Sequence, residues 1–468
     1  MLKLEKYTKQ IIVILVSIVM FMEFLDTTII NTAIPTIARS FHQDPLLLKF
    51  AVTSYFLSLA IFTPISGWVA DKLGTKKVFT LSIALFVVAS FFCAISTNIL
   101  ELTCFRFLQG MGGAFMNPVS RIVILRIFQP KDLVRVQGVI FTPAMLGFIL
   151  GPFLGGIITT YLSWSWIFYV NIPIGILVIY FGLYFIPQQK TISIKKFDLF
   201  GFLLSAVALG CICFSIDMIG HNEFISNSMN LFIGLVGIIA FFILIFHCLY
   251  HKNPILDFLL FSVKTFRIGL SANFTLYMLT ASMAFLLPLM YQEQFSYSPA
   301  YSGILVLPIA FGQLIFRFIA PRIIHKLGFK ISMIISSLLV ILTILFIAQI
   351  QLQSSILYII CVEFLFGSAS IIHGSSTGAL NYIDVPKDLS SRATALDLTS
   401  RQFAASLGIG VSAICINFFR HTFSLQFSSQ GGVKVFHYTF LIIAVLGFFS
   451  FFNSLQLSRH EGEHALKK

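Results

Sequence analysis

Apolar residues in this chain fall in unbroken blocks of about 20, separated by short polar gaps, with little alternation inside a block. Helices covered on all sides by lipid or protein produce that pattern; membrane-spanning strands would alternate apolar and polar positions. Blocks long enough to cross a bilayer lie at about 11–35, 47–68, 78–96, 100–125, 137–160, 166–186, 197–217 and 230–250. Further blocks lie at about 266–291, 301–320, 331–350, 354–376, 392–416 and 435–456. The pattern predicts an all-α integral membrane protein with 14 transmembrane helices.

Composition agrees. Of 468 residues, 57% are hydrophobic and 10% charged, with a mean hydropathy of +0.93. Soluble domains carry about 25% charged residues, so a soluble enzyme, a disordered chain and a disulfide scaffold are all excluded. The seven cysteines (Cys93, Cys104, Cys211, Cys213, Cys248, Cys361, Cys415) sit inside apolar blocks at no metal-ligand spacing. They read as small buried hydrophobes, and neither a metal nor a cofactor is expected. No phosphate-binding Gly-rich loop followed by Lys-Ser/Thr is present, so ATP is not the expected energy source. The first block runs on into Asp26 and Pro35 rather than a small-residue cleavage site, which argues against a signal peptide.

The net charge of +13 does not read as a nucleic-acid footprint, because the cations recur in the gaps between blocks. Of 31 Lys and Arg, 25 fall on the side of the N-terminus, four on the other (Arg39, Lys49, Arg420, Lys434), and Arg106 and Arg401 lie within spans. By the positive-inside rule both termini are cytoplasmic, in a cytoplasmic or inner membrane. A repeat is also visible. Gly67–Lys77 after the second block and Pro321–Lys330 after the tenth share Lys-Leu-Gly in register. The chain divides into a tail (1–10), a six-helix bundle (11–190), two linking helices (191–252), a second six-helix bundle (264–456) and a cytoplasmic tail (457–468). Duplicated halves around a midplane site are a transporter architecture.

Four segments carry a specific likeness: Leu25–Pro35 in the first block, Gly67–Lys77, Arg106–Gly113 in the fourth block, and Gly147–Gly156 in the fifth. With these in order, the chain resembles the fourteen-helix drug:proton antiporter (multidrug efflux) branch of the major facilitator superfamily over essentially its whole length. The resemblance implies the major facilitator fold and export of small amphipathic or cationic compounds in exchange for protons. Transport would proceed by alternating access between the two bundles. It also marks Gly147, Gly151, Pro152, Gly155 and Gly156 as the antiporter motif. A dedicated exporter of one native metabolite or lipid, and a non-transporting sensor or scaffold, are the alternatives. A periplasmic adaptor with an outer-membrane channel is a candidate partner.

The residues themselves point the same way. Carboxylates inside a membrane are costly and usually functional. Glu23 and Asp26, three apart, share one face of the first helix. Asp26 lies roughly 22 Å from the cytoplasmic end of its block and Arg106 roughly 9 Å below the opposite face. In a core about 30 Å thick the two reach similar depth. Glu23, Asp26 and Arg106 are therefore expected to form a switchable cluster in which a proton and a cationic substrate compete for one charge. Either acid could carry the proton. A static ion pair, with Asp26 a hydrogen-bonding residue of the family motif, is the plain alternative.

The Gly67–Lys77 loop reads as a conformational latch. Gly67 and Gly74 would permit a tight turn and close approach, Asp71 would pair with a cation such as Arg135, and Lys77 adds charge. In the second half His325 replaces Asp71, so that latch is degenerate. Small residues at four-residue spacing around Pro152 would let the fifth helix touch a neighbour. Asn31, Gln109, Glu363, Asp397 and Arg401 are the candidate cavity residues, with Asp397 and Arg401 four apart and able to pair along one helix. The expected partners are protons, a small-molecule substrate and the lipid bilayer.

Overall fold

A computed structural model describes residues 2–128, 130–188, 197–219, 226–386, 389–423, 432–458 and 461, without the side chains of 2–6, 130, 131, 134 and 135. The described residues are helical, without strands, and cluster into two units, 1–198 and 199–468.

The first unit comprises α1 (Leu2–Ile29), α2 (Ile34–Ser40), α3 (Lys49–Phe62), α4 (Ser66–Leu73) and α5 (Thr75–Ile95). It continues with α6 (Ile99–Ile127), α7 (Pro130–Tyr161), α8 (Trp166–Tyr169) and α9 (Asn171–Phe185). Its core joins Val16 and Val19 of α1, Phe79 and Phe86 of α5, and Met116 and Val119 of α6, all buried. Glycine sets the spacing of three helix pairs. A Cβ at Gly147, Gly151 or Gly155 of α7 would collide with the Phe21 carbonyl, the Thr28 hydroxyl, or the Ile29 carbonyl and Thr32 hydroxyl of the α1 segment. Close backbone approach is thus built into the antiporter motif. The Pro152 carbonyl in the same stretch accepts a hydrogen bond from Thr32 Oγ1 at 3.1 Å. Gly110 and Gly112 seat α6 against the backbones of Tyr55 and Phe86 in the same manner.

The second unit comprises α10 (Leu199–Met218), α11 (Asn227–Tyr250), α12 (Lys264–Glu293) and α13 (Pro299–Leu305). It ends with α14 (Leu307–Ile347), α15 (Ile356–Ile383), α16 (Ser390–Phe423) and α17 (Gly432–Leu455). α14 is two helices joined at Gly328, whose φ of 76° and ψ of 167° are non-helical. Its counterpart in the repeat, Gly74, has φ 88° and ends α4. Both Lys-Leu-Gly glycines therefore occupy a region that side chains rarely enter, which explains why the repeat retains glycine there. The pair expected to link the bundles, α10 and α11, packs within the second unit. Cys213 and Asp217 of α10 lie against Ser406 and Gly410 of α16, and Leu244 and Cys248 of α11 share a core with Phe266 and Leu396.

Twelve described stretches are long and apolar enough to cross a membrane. One of them, Pro299–Ile347, has 49 residues and contains the Gly328 break. α6 is long enough at 29 residues but falls short in apolarity, because Arg106, Gln109, three glycines and Asn117 occupy its middle. α10 and α11 have the smallest buried shares, 28% and 22%, and leave Leu231, Phe232, Phe242 and Phe246 exposed as lipid-facing side chains would be.

Candidate functional site

α1 and α6 bring the sharpest chemistry of the first unit together. Asp26 and Arg106 are both fully buried, and Arg106 Nη1 donates to Asp26 Oδ2 at 2.7 Å. The other carboxylate oxygen, Oδ1, accepts from Gln109 Nε2 at 2.8 Å and Asn171 Nδ2 at 3.0 Å. Gln109 is the hub. Its second N–H donates to Ser90 Oγ at 2.8 Å and its Oε1 accepts from Arg106 Nη1 at 2.7 Å. α1, α6 and the start of α9 thus meet on one carboxylate, and α5 joins them through Gln109.

Arg106 is held from the remaining directions by neutral groups. Its Nε donates to the Ala51 carbonyl at 3.4 Å, and its guanidinium lies 4.1 Å from the Tyr55 ring and 5.9 Å from that of Phe168. Its Nη2 is buried without a hydrogen-bond partner. Glu23, 8% exposed, points to Asn117 and stands beside Asp26, and its Oε2 is also buried without a partner. The arginine therefore takes Asp26 alone of the two acids. Gln109, expected in a substrate cavity, is a member of this cluster. Asn31 lies in the turn after α1 with its Oδ1 buried and unpartnered. Asn171, Ser90 and Tyr55 escaped the sequence reading. Their one signal was a polar group inside an apolar block, which the search for charges passed over.

Asp71 pairs with a cation of α6. Arg126 Nη2 of α6 donates to Asp71 Oδ1 at 2.7 Å, whereas the side chain of Arg135 lies outside the described residues. Arg126 sits in the last turn of α6, where a helix brings a cation near the end of α4. Gly67 has nothing within 4 Å of where its Cβ would be, so it serves no close approach. Lys77 is exposed, and Gly156 is buried in α7.

In the second unit Asp397 of α16 is built in like Asp26. Its Oδ1 accepts from Asn273 and Asn381, each at 3.0 Å, and its Oδ2 from Tyr382 at 3.3 Å and Arg401 Nη2 at 2.5 Å. Arg401 Nη1 donates to the Tyr277 hydroxyl at 3.0 Å and the guanidinium lies 5.1 Å from that ring. Here the arginine is partly accessible, its side chain 24% exposed. Glu363 does not join this cluster. It lies on α15 eighteen residues from Asn381, about 27 Å along the helix, and bonds Tyr291 of α12. His373 bridges Ser336 and Ser450 at 2.9 and 2.8 Å and ties α14, α15 and α17 together, a packed polar residue. No sequence signal singled out Asn273, Tyr277, Asn381 or Tyr291 from the other polar residues of the spans.

The model of the Major Facilitator Superfamily matches residues 16–409, which include both clusters. The chain belongs to that superfamily. It is 35% identical over 451 residues to "Probable transport protein HsrA" of Haemophilus influenzae, covering 96% of each chain. It is 32% identical over 428 residues to "Putative multidrug resistance protein MdtD" of Escherichia coli O6:H1, covering 91% of this chain and 89% of the relative. Among solved structures it superposes on a POT family transporter in complex with 5-aminolevulinic acid with a TM-score of 0.68, at 15% identity over 98% of this chain and 96% of that one. A bacterial homologue of the human lysosomal transporter Spinster gives 0.66 at 13% identity, over 96% and 97%. At such identities the structures speak for the fold alone. This superfamily member is a multi-pass membrane transporter, and the helices, the buried charges and the family agree on that much.

Proposed function

We propose that this transporter is a proton-coupled exporter of small amphipathic or cationic compounds. The observation carrying the reading is the Asp26 cluster: one buried carboxylate held by Arg106, Gln109 and Asn171, beside a second acid, Glu23, with an oxygen unpartnered. A proton on Asp26 cancels the charge that holds Arg106. The guanidinium is then left with Gln109 Oε1, the Ala51 carbonyl and the Tyr55 ring. A substrate cation near Glu23 and Asp26 acts in the opposite sense by favouring the ionised acids. Proton and cargo then exclude each other, which is what exchange requires. Relatives bearing the multidrug resistance name MdtD favour drug-like cargo.

The same proposal includes fourteen spans, with α6 a span in spite of its polar middle and α14 two spans meeting at Gly328. An even number puts both termini on one side, and the cation bias makes that side cytoplasmic. The Asp71–Arg126 pair, adjoining the Gly74 turn, serves as the latch that forms in one access state and opens in the other. The extra pair α10 and α11 stays out of the transport path. The deciding measurement is dye export from proteoliposomes under an imposed pH gradient. Wild type should pump, while Asp26→Asn and Arg106→Ala should lose gradient-driven export, and Asp26→Asn, which mimics the protonated acid, should also bind a cationic dye more weakly. Unchanged coupling in Glu23→Gln, Asp26→Asn and Arg106→Ala would refute the mechanism.

A further inference from the structure

The second unit buries another carboxyl, at a different depth from Asp397. Glu363 of α15 is 0% exposed. Its Oε1 accepts the hydroxyl hydrogen of Tyr291 at 2.5 Å, and its Oε2 is buried with no hydrogen-bond partner. Among the described residues no Lys, Arg or His is paired with it. The groups that face it can be named element by element. α12 supplies Tyr291, with Tyr297 behind it. The stretch of α14 against this part of α15 supplies Ile309, Gly312 and Phe316, all without charge, while Arg317 lies by Tyr277.

An ionised carboxylate with one hydrogen bond and no counter-charge is a costly occupant of an apolar interior. Two ligands could relieve it, a metal cation or a proton. Hard cations want several oxygen ligands, and here there is one carboxyl plus a phenol that spends its hydrogen on Oε1. A proton needs a single oxygen, and Oε2 is free to take it.

We propose that Glu363 is a proton-binding site of the second unit, with Oε2 as the seat of the proton and Tyr291 as the group that orients the acid. The step is addition of a proton to Oε2, forming one O–H bond with no bond broken elsewhere. Access is from the membrane end where α12 stops and α15 starts. Tyr291 is close to the last residue of α12, Glu293, and Glu363 lies about 10 Å along α15 from Ile356. The rings of Tyr291 and Tyr297 are 6.4 Å apart and those of Tyr297 and Tyr301 4.9 Å, so phenols continue from the buried acid toward the exposed Ser298 turn. Asp397 sits near the opposite end of its own hairpin of α15 and α16. The use of this proton in transport rests on the coupling proposed above; the existence of the site does not.

The test uses the full-length transporter in lipid, with infrared spectra recorded across a pH titration and dye-coupled proton movement counted in the same preparation. The expected result is a protonated-carboxyl band that disappears in Glu363→Gln, shifts in Tyr291→Phe through loss of one hydrogen bond, and persists in Asp26→Asn. Glu363→Gln should also lower the protons moved per dye molecule. A spectrum unaltered by both substitutions at every pH overturns the site. A band that behaves as expected while even wild type moves no protons upholds the site and refutes coupled export. A band that behaves as expected with an unchanged proton count overturns the role in transport.

Discussion

Asp26 collects three hydrogen bonds on two oxygens, while Oε2 of Glu23 and Nη2 of Arg106, in the same cluster, have none. Removing either partner strands the other charge in the interior, which costs about 3–5 kcal/mol. Arg106→Ala and Asp26→Asn should therefore both melt well below wild type in detergent, since the Asn keeps an oxygen for Gln109 and Asn171 but turns an N–H toward Arg106. A melt like that of wild type in either variant would mean that the pair is not a buried, desolvated one. Asp71 and Arg126 are in a different position, their side chains 44% and 23% exposed. Exposed pairs contribute about 0–1 kcal/mol, so Asp71→Asn should leave the melt nearly unchanged. A latch predicts that its transport rate nevertheless changes; an unchanged rate would reduce the pair to surface decoration.

Helix pairs are set by where side chains are absent. α7 meets α1 through Gly147, Gly151 and Gly155, each with backbone or a hydroxyl where a Cβ would go. Gly151→Val should abolish folded yield, because the Thr28 hydroxyl already fills that space and two backbones must separate to admit it. Gly67→Ala should be tolerated, since nothing stands near it, and gel-filtration recovery of the two variants checks the contrast. The spacing of the small residues was legible in the chain, and so was the need for a close neighbour. Which helix that neighbour is was not legible, because a stripe of glycines shows only that something comes close. At Gly67, expected to permit a close approach, the motif glycine faces open space. At Gly74 and Gly328 the requirement is backbone conformation, and there the repeated Lys-Leu-Gly was informative without any knowledge of packing.

Across the chain, the question is how many times it crosses the membrane. Twelve stretches meet length and apolarity; counting α6 and both arms of α14 makes fourteen. α14 has 41 residues, and at 1.5 Å each a straight helix of that length would measure about 60 Å, twice the hydrocarbon core. Alkaline phosphatase fused after Gln353 should be active, and fused after Lys326 inactive, if the two arms cross separately. Activity at both sites, or at neither, would remove a span and reverse the sidedness of everything that follows.

Hydropathy, the bias of 25 cations to four and the placement of acids in apolar blocks were enough to establish a polytopic helical protein and to pick out Asp26, Arg106, Glu363 and Asp397. These are sums and periods along one dimension, and lipid, as a solvent, reads them directly. The choice of partner is different in kind. Arg106, Gln109 and Asn171 reach Asp26 across 80, 83 and 145 residues, and Arg126 reaches Asp71 across 55. A hydrogen bond needs a donor within about 3 Å and aligned. That condition depends on which helix faces meet, and only the packed chain decides it.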